Sequence, residues 1–138
     1  MKVWLLYDAL DRIEGVYSES GKEAREEQFY KEALVNRKHR NSILAQEVEE
    51  LKTMRKPYFD EAERLLEVER EAKEINHTVK LQDARKQRKV ALRQADKLTY
   101  EINRRETDIY NSELLMKKDI ISSYGPYHLW DEQYVLEA

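Results

Sequence analysis

The sequence predicts an α+β fold, mostly α. A small three-stranded antiparallel sheet, built from an N-terminal hairpin and a C-terminal strand, carries a long antiparallel helical hairpin or coiled coil. Three observations predict it. Between Gly21 and Gly125 there is no glycine and one proline, Pro57. That stretch is rich in Glu, Lys, Arg, Leu and Ala, which lose little rotamer freedom in a helix. Apolar residues recur in it with heptad spacing, while both flanks alternate as strands do. The expected organisation is a β head over 1–18 and 124–138 and a helical stalk over 19–123.

The elements follow in order. Lys2 to Asp8 reads as a strand, with Val3, Leu5 and Tyr7 on one side and Trp4 and Leu6 on the other. Ala9 to Arg12 is a tight connection, and Ile13 to Ser18 a second strand. A lone hairpin is marginal in water and needs a third strand or a helix against it. Ser20 offers an N-cap, with Glu23 completing a capping box. Leu44, Val48, Leu51, Tyr58, Ala62, Leu65 and Ala72 then keep heptad spacing, as do Leu81, Ala84, Ala91, Ala95, Leu98, Ile102, Ile109 and Met116. Arg55, Glu69, Arg88 and Arg105 interrupt those stripes. The helical signal fades at Ile120 to Ser123, and Gly125-Pro126 ends it. Tyr127 to Leu136 reads as the last strand, with Trp130, Tyr134 and Leu136 as its buried members.

Two places could reverse the chain. Pro57 is followed by Asp60 and Glu61, which resembles a helix start. Asn76-His77-Thr78 offers residues that cap helices well. Charge favours the second. Residues 60 to 74 hold seven acids against three bases, and residues 80 to 105 hold nine bases against three acids. A turn near 76–79 folds the acidic stretch onto the basic one and matches the arm lengths better. Pro57 then sits within the outgoing helix as a kink.

Composition narrows the function. Charged residues make up 38% of the 138, more than a compact globule of this length carries, so the helices bury only a narrow stripe. Net charge is -3, which gives no global attraction to nucleic acid or anionic membrane. The chain has no cysteine, which excludes disulfides, thiolate nucleophiles and zinc-thiolate sites. No apolar run approaches the roughly 20 residues that span a bilayer. The expectation is a cytoplasmic protein with no membrane partner.

The search for chemistry points away from an enzyme. His39, His77 and His128 lie in three segments without metal-ligand spacing, and His39 sits among Arg37, Lys38 and Arg40. No glycine loop can cradle a phosphate and no serine-nucleophile motif is present. Catalytic, cofactor and metal residues are therefore expected to be absent. The candidate binding residues are basic. Arg85, Lys89, Arg93 and Lys97 recur every fourth residue on one helical face, and Arg37, Lys38 and Arg40 form a second cluster. Such a stripe can grip an anion or pair with the acidic arm, and the sequence leaves both open. The polar core positions fit a homo-oligomer, in which they would fix register.

The start, Met1 to Asp8 with Ile13-Glu14-Gly15-Val16-Tyr17-Ser18 and Gly21-Lys22-Glu23-Ala24, resembles small uncharacterised bacterial and phage proteins. Those begin strand, strand, Lys/Glu/Ala-rich helix, and often end on a strand like Tyr134-Val135-Leu136-Glu137. The resemblance covers the terminal segments only and implies a phage origin and a non-enzymatic accessory role. Three functions follow as expectations. The first is a protein-interaction module that binds and inhibits or scaffolds a host protein in the host cytoplasm, including a component of host defence. The second is an anion binder for nucleic acid or a signalling nucleotide. The third is a structural coiled-coil assembly protein.

Overall fold

Strands form at both ends of the chain and helices fill the middle. The computed structural model describes residues 2–8, 10–125 and 130–135. The elements are β1 (Lys2–Tyr7), β2 (Ile13–Tyr17), α1 (Glu19–Glu74), α2 (Thr78–Glu113), α3 (Lys117–Tyr124) and β3 (Trp130–Val135). The fold is α+β and mostly α, with one antiparallel sheet of order β2-β1-β3 and two long helices packed against each other. The chain divides into two compact units, residues 1–42 with 110–138 and residues 43–109.

In the first unit β1 is the central strand. It is apolar from Val3 to Tyr7, so it can be paired on both sides. Leu6 stands opposite Gly15 of β2 and Asp131 of β3 and is fully buried. Phe29, Ala33, Ile120 and Ile121 complete this core. The β1–β2 register shifts between Leu6 and Tyr7, because Glu14 is an extra residue on β2. Such a bulge re-aims a side chain. Here the Glu14 carboxylate accepts hydrogen bonds from Tyr17 Oη at 2.8 Å and Arg25 Nε at 2.9 Å, which ties the sheet to α1. A Cβ at Gly15 would meet the far end of the Tyr17 ring at 2.6 Å, so a side chain there would shift that ring from its bond to Glu14.

Three expectations are corrected. The cap of α1 is Ser18, not Ser20: the helix starts at Glu19, and Ser18 Oγ accepts from the Gly21 N–H at 3.3 Å. Tyr134 is 46% exposed, not buried. It stands opposite Val3, on the sheet face that holds the exposed Val16, whereas Leu6 and the helices share the other face. The side chain of Trp130 and Leu136, the other expected core members of that strand, lie outside the described residues. The returning helix does not run through Met116, which is extended and 77% exposed. It ends at Glu113, and α3 is a separate helix. The break is stabilised from α1. Arg37 Nη1 donates to the Ser112 carbonyl at 3.2 Å, and Asn36 Nδ2 to the Tyr124 carbonyl at 2.8 Å. These carbonyls lie at the ends of α2 and α3, where the helical ladder runs out, and that of Ser112 also accepts from the Leu115 N–H at 3.4 Å. Gly125 ends α3 in an extended conformation, the one favoured before a proline.

In the second unit α1 and α2 meet along a seam of small residues. Val48, Ala62, Leu65, Ala72, Ala84, Ala91, Ala95 and Ile102 are buried. Pro57 lies inside α1; it removes the bond to the Thr53 carbonyl without ending the helix. The arms are joined at Ile75, Asn76 and His77. Asn76 is left-handed, with φ 54, and its N–H reaches the Lys73 carbonyl while the His77 N–H reaches that of Ala72. This closes α1 as a Schellman motif. His77 then opens α2, because its Nδ1 accepts from the Lys80 N–H at 3.1 Å.

The turn makes a prediction. Asn76→Gly will leave stability unchanged or raise it, because glycine adopts the left-handed conformation freely. Asn76→Val will cost about 1–2 kcal/mol, the penalty of forcing a branched side chain into that region. Urea denaturation measures both.

Candidate functional site

The basic stripe lies on α2, in the second unit. Core positions of α2 face α1, and Arg85, Lys89, Arg93 and Lys97 fall outside the seam, all exposed. Arg85 Nε lies 3.4 Å from the Glu69 carboxylate. Among the described residues Lys89, Arg93 and Lys97 have no ion-pair partner. Among the described residues, the acidic stretch 60–74 of α1 makes ion pairs with α2 through Glu69. Glu69 is 6% exposed and accepts from Arg88 Nε at 2.5 Å. Its neighbours pair along their own helix, Glu61 with Arg64 and Glu67 with Arg70. Arg64 holds the Glu61 carboxyl below the usual carboxylate range by its hydrogen bond.

The interruptions of the stripes are satisfied inside the hairpin. Besides Glu69–Arg88, Arg105 Nε donates to Glu47 at 2.8 Å and Nη1 to Glu101 at 2.7 Å, and Arg55 Nη1 donates to Thr99 Oγ1 at 3.0 Å. These polar residues thus need no second chain to complete them. Their role is register, since the buried Glu69 has a matching cation at one height only.

The second basic cluster lies in the first unit and is partly structural. Arg37 holds the end of α2, as above, and Arg40 lies over the Tyr124 ring at 5.7 Å. Lys38 is exposed.

Two features carried no clear signal in the sequence. The hairpin exposes large apolar residues beside its seam. Phe59 and Leu66, 43% and 37% exposed and one heptad apart, edge α1. Their only mark in the sequence is that each follows a seam position, Tyr58 or Leu65. On the opposite edge Tyr58, Leu65, Val90 and Ala91 line an open groove between the helices.

The other is a cleft of about 240 Å³ in the first unit, lined by Leu6, Lys22, Glu26, Lys117, Ile121 and Asp131 among others. Lys22 Nζ binds Asp131 at 2.7 Å and lies 3.9 Å from the Trp4 ring centre. Burial pulls its pKa down, but the bond to Asp131 and the charges of Glu26 and Asp131 outweigh it and hold it raised. These partners are far apart in sequence, which is why spacing gave no hint. Lys117 pairs with Glu27. Among the described residues no cluster of three or more His, Asp or Glu could hold a metal ion, and no helix is long and apolar enough to cross a membrane.

On the open sheet face, Tyr134 Oη donates to Glu132 Oε2 at 2.5 Å and Tyr7 Oη to the same oxygen at 3.1 Å. The hydrogen bond to Glu132 and its negative charge disfavour the phenolate, so the Tyr134 pKa is pushed up to about 12. A raised tyrosine pKa stabilises the fold below the ordinary value near 10 and loses that contribution as pH rises through about 12. Glu132→Gln will bring this titration back toward 10, read as tyrosinate absorbance with Tyr134→Phe identifying the step. An unmoved titration would contradict the contact.

A second prediction concerns the seam. Glu69→Ala leaves the half-buried Arg88 unpaired and will cost about 1–3 kcal/mol. Glu69→Leu with Arg88→Leu will recover most of that loss, because two apolar groups replace a desolvated pair. Thermal or urea denaturation of the three variants decides it.

Comparison of the chain with protein-family models, curated proteins and solved structures finds no match.

Proposed function

We propose that this chain is a non-enzymatic protein-binding module, phage-encoded, that docks on a host protein in the host cytoplasm and blocks or scaffolds it. The observation that carries this reading is the exposed apolar pair Phe59 and Leu66 on the edge of α1, together with exposed Lys89 on α2, which has no ion-pair partner among the described residues. Apolar side chains gain free energy only by leaving water against another apolar surface. Cations steer association and select an acidic rim. A protein partner offers both chemistries together, whereas a nucleic-acid backbone offers only the second. The phage origin rests on the terminal segments that resemble small bacterial and phage proteins, and inhibition of a host defence complex is its sharpest form.

A second reading is favoured by Lys89, Arg93 and Lys97, three cations on one helix without ion-pair partners among the described residues. They would grip nucleic acid or a signalling nucleotide, with affinity falling steeply as salt rises.

Affinity capture of the tagged chain from a bacterial lysate, with and without nuclease, separates the two. The first reading expects a host protein retained after nuclease. It also expects retention to fall at least about tenfold in Phe59→Ala with Leu66→Ala, the loss of two interface anchors. Nucleic acid or nucleotide recovered alone, and lost when Arg85, Lys89, Arg93 and Lys97 become Glu, would replace it with the second.

A further inference from the structure

We propose that two copies of this chain pair through the hairpin of the second unit, groove against groove, as an antiparallel four-helix bundle. The groove is floored by Tyr58, Leu65, Val90 and Ala91 and rimmed by Glu61 and Lys86, among others. It lies on the edge of the seam opposite Phe59 and Leu66, so the pairing does not depend on the host-protein reading.

The first argument is burial. Five of the buried seam residues, Ala62, Ala72, Ala84, Ala91 and Ala95, contribute one methyl group each. Apolar area removed from water drives helix packing at about 25 cal/mol per Å², so an alanine seam packs two helices closely but stabilises them little. Meanwhile Val90 remains 52% exposed and Tyr58 38% exposed directly above it. A second hairpin covers both.

The second argument is charge, and it selects the partner. The acidic stretch of α1 and the basic stretch of α2 belong to one hairpin, yet among the described residues only Glu69 makes an ion pair between them. Glu71, Lys86 and Lys97 have no ion-pair partner among the described residues. Two grooves can face each other about a two-fold axis in two ways. An axis across the hairpin sets α1 on α1 and α2 on α2, acid on acid and base on base. An axis along the hairpin sets α1 of each copy beside α2 of the other, running antiparallel. Glu69 is level with Arg88 and Glu47 with Arg105. By the Glu69–Arg88 spacing Glu71 lies at the height of Lys86, and Glu61 one residue from the height of Lys97. The second arrangement therefore brings opposite charges together twice across a closed, isologous interface. A second copy supplies apolar cover and complementary charge at matching heights without any further assumption.

The test uses the full chain in sedimentation velocity and equilibrium. The expected species is a dimer with a Kd of about 10 μM or tighter. Val90→Lys will weaken association at least about tenfold, because it buries an unpaired charge in the groove, while the far-ultraviolet helical signal stays unchanged. The charge pattern gives a control that a folding defect cannot imitate. Glu61→Lys with Glu71→Lys reverses the two acidic partners, and Lys86→Glu with Lys97→Glu reverses the two basic ones. Each double variant alone will be monomeric, and an equimolar mixture will form a heterodimer. A monomeric wild-type chain at concentrations well above that Kd would overturn the proposal. So would a dimer that survives Val90→Lys, or a mixture that stays monomeric.

Discussion

The buried carboxylate of Glu69 constrains the second unit. It sits in an otherwise apolar and small seam, 6% exposed, and is charged only at the cost of desolvation. Arg88 and Arg85 compensate it from α2, and they can do so at one relative height of the two arms. Sliding α2 by a heptad would put Leu81 or Ala95 opposite Glu69 and leave a buried charge without a partner. The apolar contacts are too similar along the seam to forbid that shift, since alanine recurs at Ala62, Ala72, Ala84, Ala91 and Ala95. The alanines bring the helices together, and the ion pair fixes where. Arg105 with Glu47 and Arg55 with Thr99 repeat the same device further along.

The first unit follows a different logic, in which backbone ends are satisfied by side chains from elsewhere. Asn36 and Arg37 on α1 donate to the carbonyls that end α3 and α2, and Asn41 Nδ2 donates to Ser112 Oγ at 2.8 Å. The Glu14 bulge joins β2 to α1 through Arg25, and Lys22 joins α1 to β3 through Asp131. A three-stranded sheet with one open face buries little by itself. Polar ties to α1, together with Phe29, Ile120 and Ile121 against Leu6, hold it to its helices.

The fold class was legible in the sequence because its signals are local. Absence of glycine, heptad spacing and the charge contrast between 60–74 and 80–105 each act within a few turns of helix. The end of α2 was not legible, because Met116 continues the apolar spacing, while the chain tightens into i→i+3 bonds at Leu114 and Leu115 and Arg37 donates to the Ser112 carbonyl. The exposed side of Tyr134 was missed for a related reason. Alternation shows that a strand has two faces, but not which one the helices cover. Counting charges overstated the pairing between arms. Glu69 occupies a seam position, whereas Glu63, Glu67 and Glu71 point away from α2, so their attraction to the basic arm is not met within the chain. Among the described residues Lys89, Arg93 and Lys97 have no ion-pair partner within the chain, which sequence spacing could not show.

The account depends on the chain reversing at Ile75 to His77, so that α1 and α2 lie side by side. The absence of cysteine from the chain makes this directly measurable. Spin labels on cysteines placed at Glu50 and Arg104, diluted with unlabelled protein to suppress distances between copies, report one separation by pulsed electron resonance. Helices packed side by side have axes about 8–10 Å apart, so the labels should lie within about 30 Å of each other. A continuous helix through the turn would separate them by about 80 Å. A distribution centred near that larger distance would contradict the hairpin and every surface built on it.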